Sequence, residues 1–361
     1  MSEENPKTLL LIPSYAKRGI DAEVAANTHP TMDYFALQSC LRADIADYAS
    51  AEADRHPLVR AARRASLDAA LAMHGFLRAS QFEMIFSNGE NVSIPLAVLF
   101  ASRSRRPGHA LIGHRLSPTK KRWLMRTLHP KMDVIFVYAA TQETYARDVL
   151  RIPASKVRLI PFHADTRFYQ PMPNAAVERR IASAGLELRD YPTLIEAVRG
   201  LDVEVCLAAA SPWSKRKNET AERLLPANVS ARRYSYRELR DLYASSRFVV
   251  VPLYENDFQA GVTTILEAMA MGKAVIATRT TGQQDVIEHN VNGIYVPPAD
   301  PPALRAAIVA LLDHPEEAAR LGENARKTIE SAMSLDLWVR RISEVVRDVA
   351  RRRQHAAMEQ R

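Results

Sequence analysis

The sequence predicts an α/β protein of two domains, each a parallel sheet covered by helices. Three observations point there. Short apolar runs alternate with helix-length segments along the whole chain, the rhythm of parallel sheets flanked by helices. At 158–173, Arg-Leu-Ile-Pro-Phe-His-Ala-Asp-Thr-Arg-Phe-Tyr-Gln-Pro-Met-Pro breaks that rhythm with prolines and mixed polarity, which marks a domain boundary. Finally 334–353 carries Leu337, Val339, Ile342, Val345, Val346 and Val349 at helical spacing and predicts one long amphipathic helix. A chain of 361 residues that is 47% hydrophobic has material for two cores of ordinary size.

In the first half the apolar runs predict strands at 8–12, 84–86, 110–112 and 133–137, with helices at 33–48, 57–79, 92–103 and 141–150. The second half continues with a helix at 193–199, a strand at 203–209, a helix at 236–245 and a strand at 248–252. After the turn Asn290-Val-Asn-Gly293 come a strand at 294–296 and a helix capped by Asp300, with two prolines in its first turn. The expected domains are 1–165, 166–333 and a terminal helix at 334–361.

Composition narrows the function classes. The two cysteines, Cys40 and Cys206, are far apart and have no His/Cys spacing around them, so neither a zinc site nor a disulfide framework is expected. The N-terminus runs into an apolar strand with no basic region before it, and no stretch reaches about 18 consecutive apolar residues. The expected location is cytoplasmic, with peripheral attachment to the inner membrane face as an option. The net charge of +8 is uneven: no acidic residue stands between Glu90 and Asp133. Within 103–126 lies Lys120-Lys-Arg-Trp-Leu-Met-Arg126, which suits an anionic membrane surface, a phosphorylated acceptor, or a solvated helix packed by its apolar side. No helix-turn-helix, zinc or aromatic-ladder pattern accompanies the charge, so nucleic acid is not an expected partner.

The most informative segment is Gln259-Ala-Gly-Val-Thr-Thr-Ile-Leu-Glu-Ala-Met-Ala-Met-Gly-Lys-Ala-Val-Ile-Ala-Thr278, read as a loop, a short helix and a buried strand. Gly261 lets a ligand approach the backbone, and the free amides of Val262, Thr263 and Thr264 at the positive end of the helix suit a phosphate. Glu267 follows one turn later on the same face as Thr263 and Thr264, where its carboxylate can accept two hydroxyls, as a ribose offers. Gly272 stops the helix, and Met269 and Met271 face the core.

This segment resembles the donor-site signature of retaining GT-B glycosyltransferases of the family 4 type, a Glu-x7-Glu pattern followed by Ala-Met-Ala and Gly. The resemblance extends over most of the second half. Tyr236-Arg-Glu-Leu-Arg-Asp-Leu-Tyr-Ala-Ser-Ser-Arg-Phe-Val-Val-Val-Pro252 is similar to the helix-strand pair before the signature, and Tyr236 becomes a binding candidate. Gly282-Gln-Gln-Asp285 stands where the family has a Gly followed by a Glu. The first half resembles the family more weakly, because Ser14-Tyr-Ala-Lys-Arg-Gly-Ile replaces the usual glycine-rich loop. The resemblance implies two Rossmann-like domains facing across a cleft, the first on the acceptor side and the second on the nucleotide-sugar side, with the last helix crossing back to the first.

It also implies roles. Glu267 would hold the nucleotide ribose. Gln259 occupies the first acidic position of the pattern; it can hydrogen-bond a sugar hydroxyl but carries no charge. Arg189 falls where the family has a Lys that neutralises the donor pyrophosphate, and its planar fork suits that task. The family's second basic residue is replaced by Leu186 after Gly185, so Lys215 or Arg216 in Ser211-Pro-Trp-Ser-Lys-Arg-Lys becomes a helper candidate beside Ser211. His114 ends a strand-like run where the family often shows a His aimed at the donor sugar. His114 and Gln259 are thus the catalytic candidates. The expected reaction moves a hexose from a UDP- or GDP-linked donor to a hydroxyl acceptor, whether glycan, lipid-linked or small molecule. Anomeric configuration is retained, and no metal or cofactor is expected. A GT-B isomerase or phosphorylase, or a silent nucleotide-sugar-binding protein, stands as the alternative.

Overall fold

The computed structural model describes residues 5–17, 19–208 and 225–359. In chain order the strands are β1 (Thr8–Leu11), β2 (Asp44–Ala46), β3 (Met84–Ser87), β4 (Gly108–Gly113), β5 (Val134–Val137), β6 (Val157–Leu159), β7 (Arg180–Ala184), β8 (Glu204–Ala208), β9 (Val229–Arg232), β10 (Phe248–Val251), β11 (Ala274–Thr278) and β12 (Ile294–Val296). The α-helices are α1 (Asp21–Ala25), α2 (Asp33–Leu41), α3 (Tyr48–Ala53), α4 (Pro57–Arg63), α5 (Leu67–Arg78), α6 (Glu90–Ala101), α7 (Thr119–Leu128), α8 (Ala140–Thr144), α9 (Tyr191–Val198), α10 (Tyr236–Ser245), α11 (Val262–Ala270), α12 (Pro301–Asp313), α13 (Pro315–Thr328) and α14 (Leu335–Glu359). They form two compact units, one of residues 1–19, 32–160 and 336–361, the other of 20–31 and 161–335.

The first unit is a six-stranded parallel sheet in the order β2-β1-β3-β4-β5-β6. Its inner strands β1, β3, β4 and β5 are buried on both faces, which is why they read as unbroken apolar runs rather than alternating ones. The helix expected at 33–48 ends early. Arg42 takes a left-handed conformation (φ 52°), and Asp44–Ala46 then pairs with β1 as an edge strand. The helix expected at 57–79 is likewise two, because Ser66 turns extended and caps α5 by accepting the Ala69 amide at 3.0 Å. Within this unit α14 is anchored by ion pairing and hydrogen bonding of Arg353 to Asp133 (2.9 Å) and of Arg347 to Asn5 (2.8 Å).

The second unit holds a six-stranded parallel sheet in the order β12-β11-β10-β7-β8-β9. The central β7 is built from Ile181, Ala182, Ser183 and Ala184, small enough to leave room for α11 and α10 above it. Asp300 caps α12 through the Ala303 amide (2.9 Å), with Pro301 and Pro302 in the first turn. Strand succession reverses between β7 and β10, which are neighbours in the sheet. In an open parallel sheet that switch point leaves a crevice at the carboxyl ends of the two strands. Among the described residues no helix is long and apolar enough to cross a membrane.

Candidate functional site

The crevice beside β7 and β10 is a cavity of about 280 Å³, lined by residues of the second unit alone. The loop after β7 contributes Gly185, Leu186, Glu187 and Arg189. The loop after β10 and the start of α11 contribute Phe258 to Thr264 and then Glu267. Tyr234, Tyr236 and Leu239 form another part of the wall. The two loops are pinned together by backbone bonds from Asp190 N to Pro252 O (3.1 Å) and from Tyr254 N to Leu188 O (3.0 Å). The spacing of their side chains is therefore a property of the sheet rather than of flexible loops.

Arg189 is only 8% exposed. Its Nε donates to Ala184 O (2.7 Å), Nη1 to Glu187 O (2.8 Å) and Nη2 to Thr264 Oγ1 (3.1 Å). An arginine has five N–H groups; two of these have no acceptor among the described residues. Burial lowers its pKa from the usual arginine value, but an arginine is still a cation in any protein. The guanidinium packs closely against two glycines. A Cβ on Gly185 would sit 2.4 Å from Nη2, and one on Gly261 would sit 2.9 Å from Val251 Cγ1 and 3.3 Å from Nη1. Both glycines also hold positive φ (96° and 79°), so each position demands glycine by conformation and by space.

Gly261 is the N-cap of α11 and offers no side chain to its first turn. The amides of Thr263 and Thr264 find no acceptor among the described residues. They face the cavity at the positive end of a nine-residue helix, with the buried Arg189 beside them. Such an arrangement attracts an anion. The Gln259 Oε1 atom, on the same wall, is buried and also lacks a hydrogen-bond partner among the described residues.

Glu267 lies one turn deeper, 9% exposed, yet still on the cavity wall. The Tyr243 hydroxyl donates to its Oε2 at 3.3 Å, and Tyr169 lies against the same carboxylate. Burial is the largest influence and pushes the Glu267 pKa up to about 7, while the two tyrosines and Arg189 pull the other way. Burial, and after it the Glu267 charge, raise both tyrosine pKa values well above the usual range, so both hydroxyls stay protonated; Tyr243 donates to Glu267, while the buried Tyr169 hydroxyl has no hydrogen-bond partner among the described residues.

Of the residues singled out from sequence, Gly185, Arg189, Tyr236, Gln259, Gly261, Val262, Thr263, Thr264 and Glu267 line this one cavity. Ser211, Lys215 and Arg216 lie outside the described residues. His114 stands in the first unit, at the carboxyl end of β4. Its amide donates to Glu90 Oε2 (3.2 Å) and its Nε2 lies 3.3 Å from Asn88 Oδ1. Sequence reading missed Tyr234, Leu239 and Phe258 as lining residues. Only Tyr234 left a hint, as an aromatic two positions from Tyr236. Among the described residues no three His, Cys, Asp or Glu side chains cluster to hold a metal.

Residues 181–314, which include the cavity loops and α11, match the family model described as "Glycosyl transferases group 1". The chain is 30% identical over 195 residues to an MMP alpha-(1->4)-mannosyltransferase of Mycolicibacterium hassiacum, covering 50% of this chain and 46% of that protein. It is 26% identical over 303 residues to the D-rhamnosyltransferase WbpZ of Pseudomonas aeruginosa, covering 75% of this chain and 79% of the relative. It thus spans less than half of the first relative and most of the second. In fold it is similar to sucrose-phosphate synthase from Thermosynechococcus elongatus, with a TM-score of 0.71 at 18% identity over 97% of this chain and 100% of that one. Anabaena Alr3699/HepE, solved in complex with UDP-glucose, gives 0.68 at 16% identity over 94% and 98%. The two parallel six-stranded sheets thus have the GT-B fold, and residues 181–314 are similar to the group 1 glycosyltransferases.

Proposed function

We propose that this protein transfers a hexose from a UDP- or GDP-linked donor to a hydroxyl acceptor, with retention of anomeric configuration and without a metal ion. The observation that carries the reading is the gathering of Arg189, the unpaired Thr263 and Thr264 amides and Glu267 in one cavity. The diphosphate would lie against the amides and the two free N–H groups of Arg189, and the ribose hydroxyls would donate to Glu267. The partnerless Gln259 Oε1 supports a place for a sugar hydroxyl. Tyr234, Tyr236 and Leu239 offer apolar and aromatic surface for the base. HepE, a structural neighbour, binds UDP-glucose, which supports a nucleotide-sugar donor here.

In the reaction the bond between the sugar C1 and the phosphate oxygen breaks, and a bond from the acceptor oxygen to C1 forms on the same face. The acceptor proton passes to an oxygen of the leaving phosphate, since Gln259 cannot take it. Catalysis is then largely electrostatic. The cation and the amides are already in place where negative charge grows on the leaving diphosphate, and they need no reorganisation. A thermal-shift panel of UDP- and GDP-hexoses tests the donor. A ligand at 100 times its dissociation constant adds about 2.7 kcal/mol of stability, and no shift with any of them overturns the reading. NMR of the product should show the donor's anomeric configuration kept.

The acceptor is best supported as lipid-linked, presented at an anionic membrane. Trp123 on α7 is 70% exposed, and Lys120, Arg122 and Arg126 of the same helix are exposed around it. Lys121, by contrast, is taken up by the buried Glu90 at 2.9 Å, which ties the start of α7 to α6. With no acidic residue from 91 to 132, this face is cationic with an aromatic tip, the pattern of an interfacial contact. The protein should sediment with vesicles containing about a third phosphatidylglycerol. Trp123→Ala with Arg122→Ala should cut that binding about tenfold or more, with a base charge worth about 1 kcal/mol near the surface. Equal sedimentation with purely zwitterionic vesicles sinks the idea.

A further inference from the structure

The chain between β1 and α2 contains a segment that sequence reading assigns to the first domain but that belongs to the second unit: residues 20–31, including the short helix α1. Three contacts hold it there. The Thr31 amide donates to the buried Asp165 at 2.7 Å. Arg240, itself buried and stacked 4.6 Å from the Phe168 ring, donates from Nη1 to Asn27 O at 3.2 Å. His29, 6% exposed, sets its ring 4.3 Å from that of Tyr236, tilted by 57°.

The third contact reaches the cavity, because the Tyr236 ring is part of its wall. His29 cannot turn freely. Its Nδ1 is 2.7 Å from Pro30 O, which can only accept, so Nδ1 carries the hydrogen and the ring plane is fixed. Tyr236 is fixed at its other end by its place as first residue of α10. There Ser235 and Glu238 form a reciprocal cap, with Ser235 N donating to Glu238 Oε2 at 2.8 Å. A tyrosine held between a capped helix start and a locked imidazole has lost most of its rotamer freedom before any ligand arrives, and that lowers the entropic cost of stacking a base on it.

We infer that His29 is a positioning residue of the donor site: the 20–31 segment is a strap whose imidazole holds Tyr236 in the orientation that stacks on the nucleobase. This rests on the donor reading above and adds a residue far from the signature to it. Stacking does not read hydrogen-bond edges, so the strap supports affinity for uridine and guanosine nucleotides alike.

The test is calorimetric binding of UDP and GDP to the full chain at 15 °C, together with donor kinetics. His29→Ala should weaken both nucleotides about tenfold, the size of one aromatic contact. It should raise the donor KM by the same factor, with kcat within twofold. His29→Phe should recover most of the loss. In a Tyr236→Ala background the His29 substitution should change affinity less than twofold. Should His29→Ala not fold, His29→Gln keeps a donor for the Pro30 carbonyl without the ring and carries the same expectation. Unchanged binding in the His29 variants, with binding lost in Glu267→Ala, overturns the strap and leaves the donor site standing. So does a tenfold loss that persists without Tyr236. Unchanged binding in both overturns the donor site and the strap with it.

Discussion

Glu267→Gln should make the unliganded protein more resistant to urea at pH 8 than the parent, and at the same time remove most of its affinity for nucleotide. The carboxyl has a pKa of about 7 in the folded protein, against an ordinary value of 4.5. Between those values the native state binds more protons than the unfolded chain, so this group's contribution to stability is fully present below pH 4.5 and is lost as pH rises through 7. At 1.36 kcal/mol per unit the loss is on the order of 3 kcal/mol. A glutamine has no such charge to bury. The stability difference, variant minus parent, should therefore grow by that order between pH 4.5 and pH 8. Binding runs the other way: two ribose hydroxyls need acceptors, and the carboxamide offers one oxygen. A hydrogen bond to a charged group contributes about 1.5–3 kcal/mol, so nucleotide affinity should fall about ten- to a hundredfold. The parent should also lose affinity as pH falls below about 7, while the variant shows no such dependence. A stability difference that does not change with pH, or nucleotide affinity that the substitution leaves intact, would falsify the role given to Glu267.

Much of this site was legible because its residues sit where local sequence speaks. Gly261 starts an apolar helix and Glu267 lies one turn into it, so spacing brought these two under suspicion, while Gly185 at a strand end and Arg189 directly before a capped helix were singled out through the family resemblance. The same locality made α10, β12 and the Asp300 cap readable. What was not legible depends on contacts between distant segments. Tyr169 and Tyr243 flank Glu267 from a linker and a helix that no periodicity connects. β7 escaped notice because Arg180-Ile-Ala-Ser-Ala184 is too small and polar to read as a core strand, yet that smallness makes room for the helices above it. β2 was hidden inside an apparent helix, since a single left-handed Arg42 diverts the chain to the sheet edge. The strap at 20–31 shows the limit most clearly: nothing in its sequence says which unit it joins, because that is decided by Asp165, Tyr236 and Arg240, more than 130 residues away.

Arg189→Ala should have the largest effect on rate, with kcat/KM for transfer falling about a hundred- to a thousandfold, the usual consequence of removing a preorganised partner of growing negative charge. Some loss of stability accompanies it, because Ala184 O, Glu187 O and Thr264 Oγ1 lose their donor, and each group left buried and unsatisfied costs about 1–3 kcal/mol. Stability alone cannot produce a selective binding defect, so the decisive comparison is between ligands. UDP presents a diphosphate to the guanidinium; uridine does not. In the variant UDP affinity should fall at least tenfold while uridine affinity stays within twofold. Arg189→Lys keeps the charge but has one nitrogen to satisfy three acceptors spread over the end of β7, the loop after it and α11, so it should recover part of the UDP affinity and little of the rate. Equal losses for UDP and uridine would mean that Arg189 only holds the loops together, and the anion site would then have to rest on the helix amides alone.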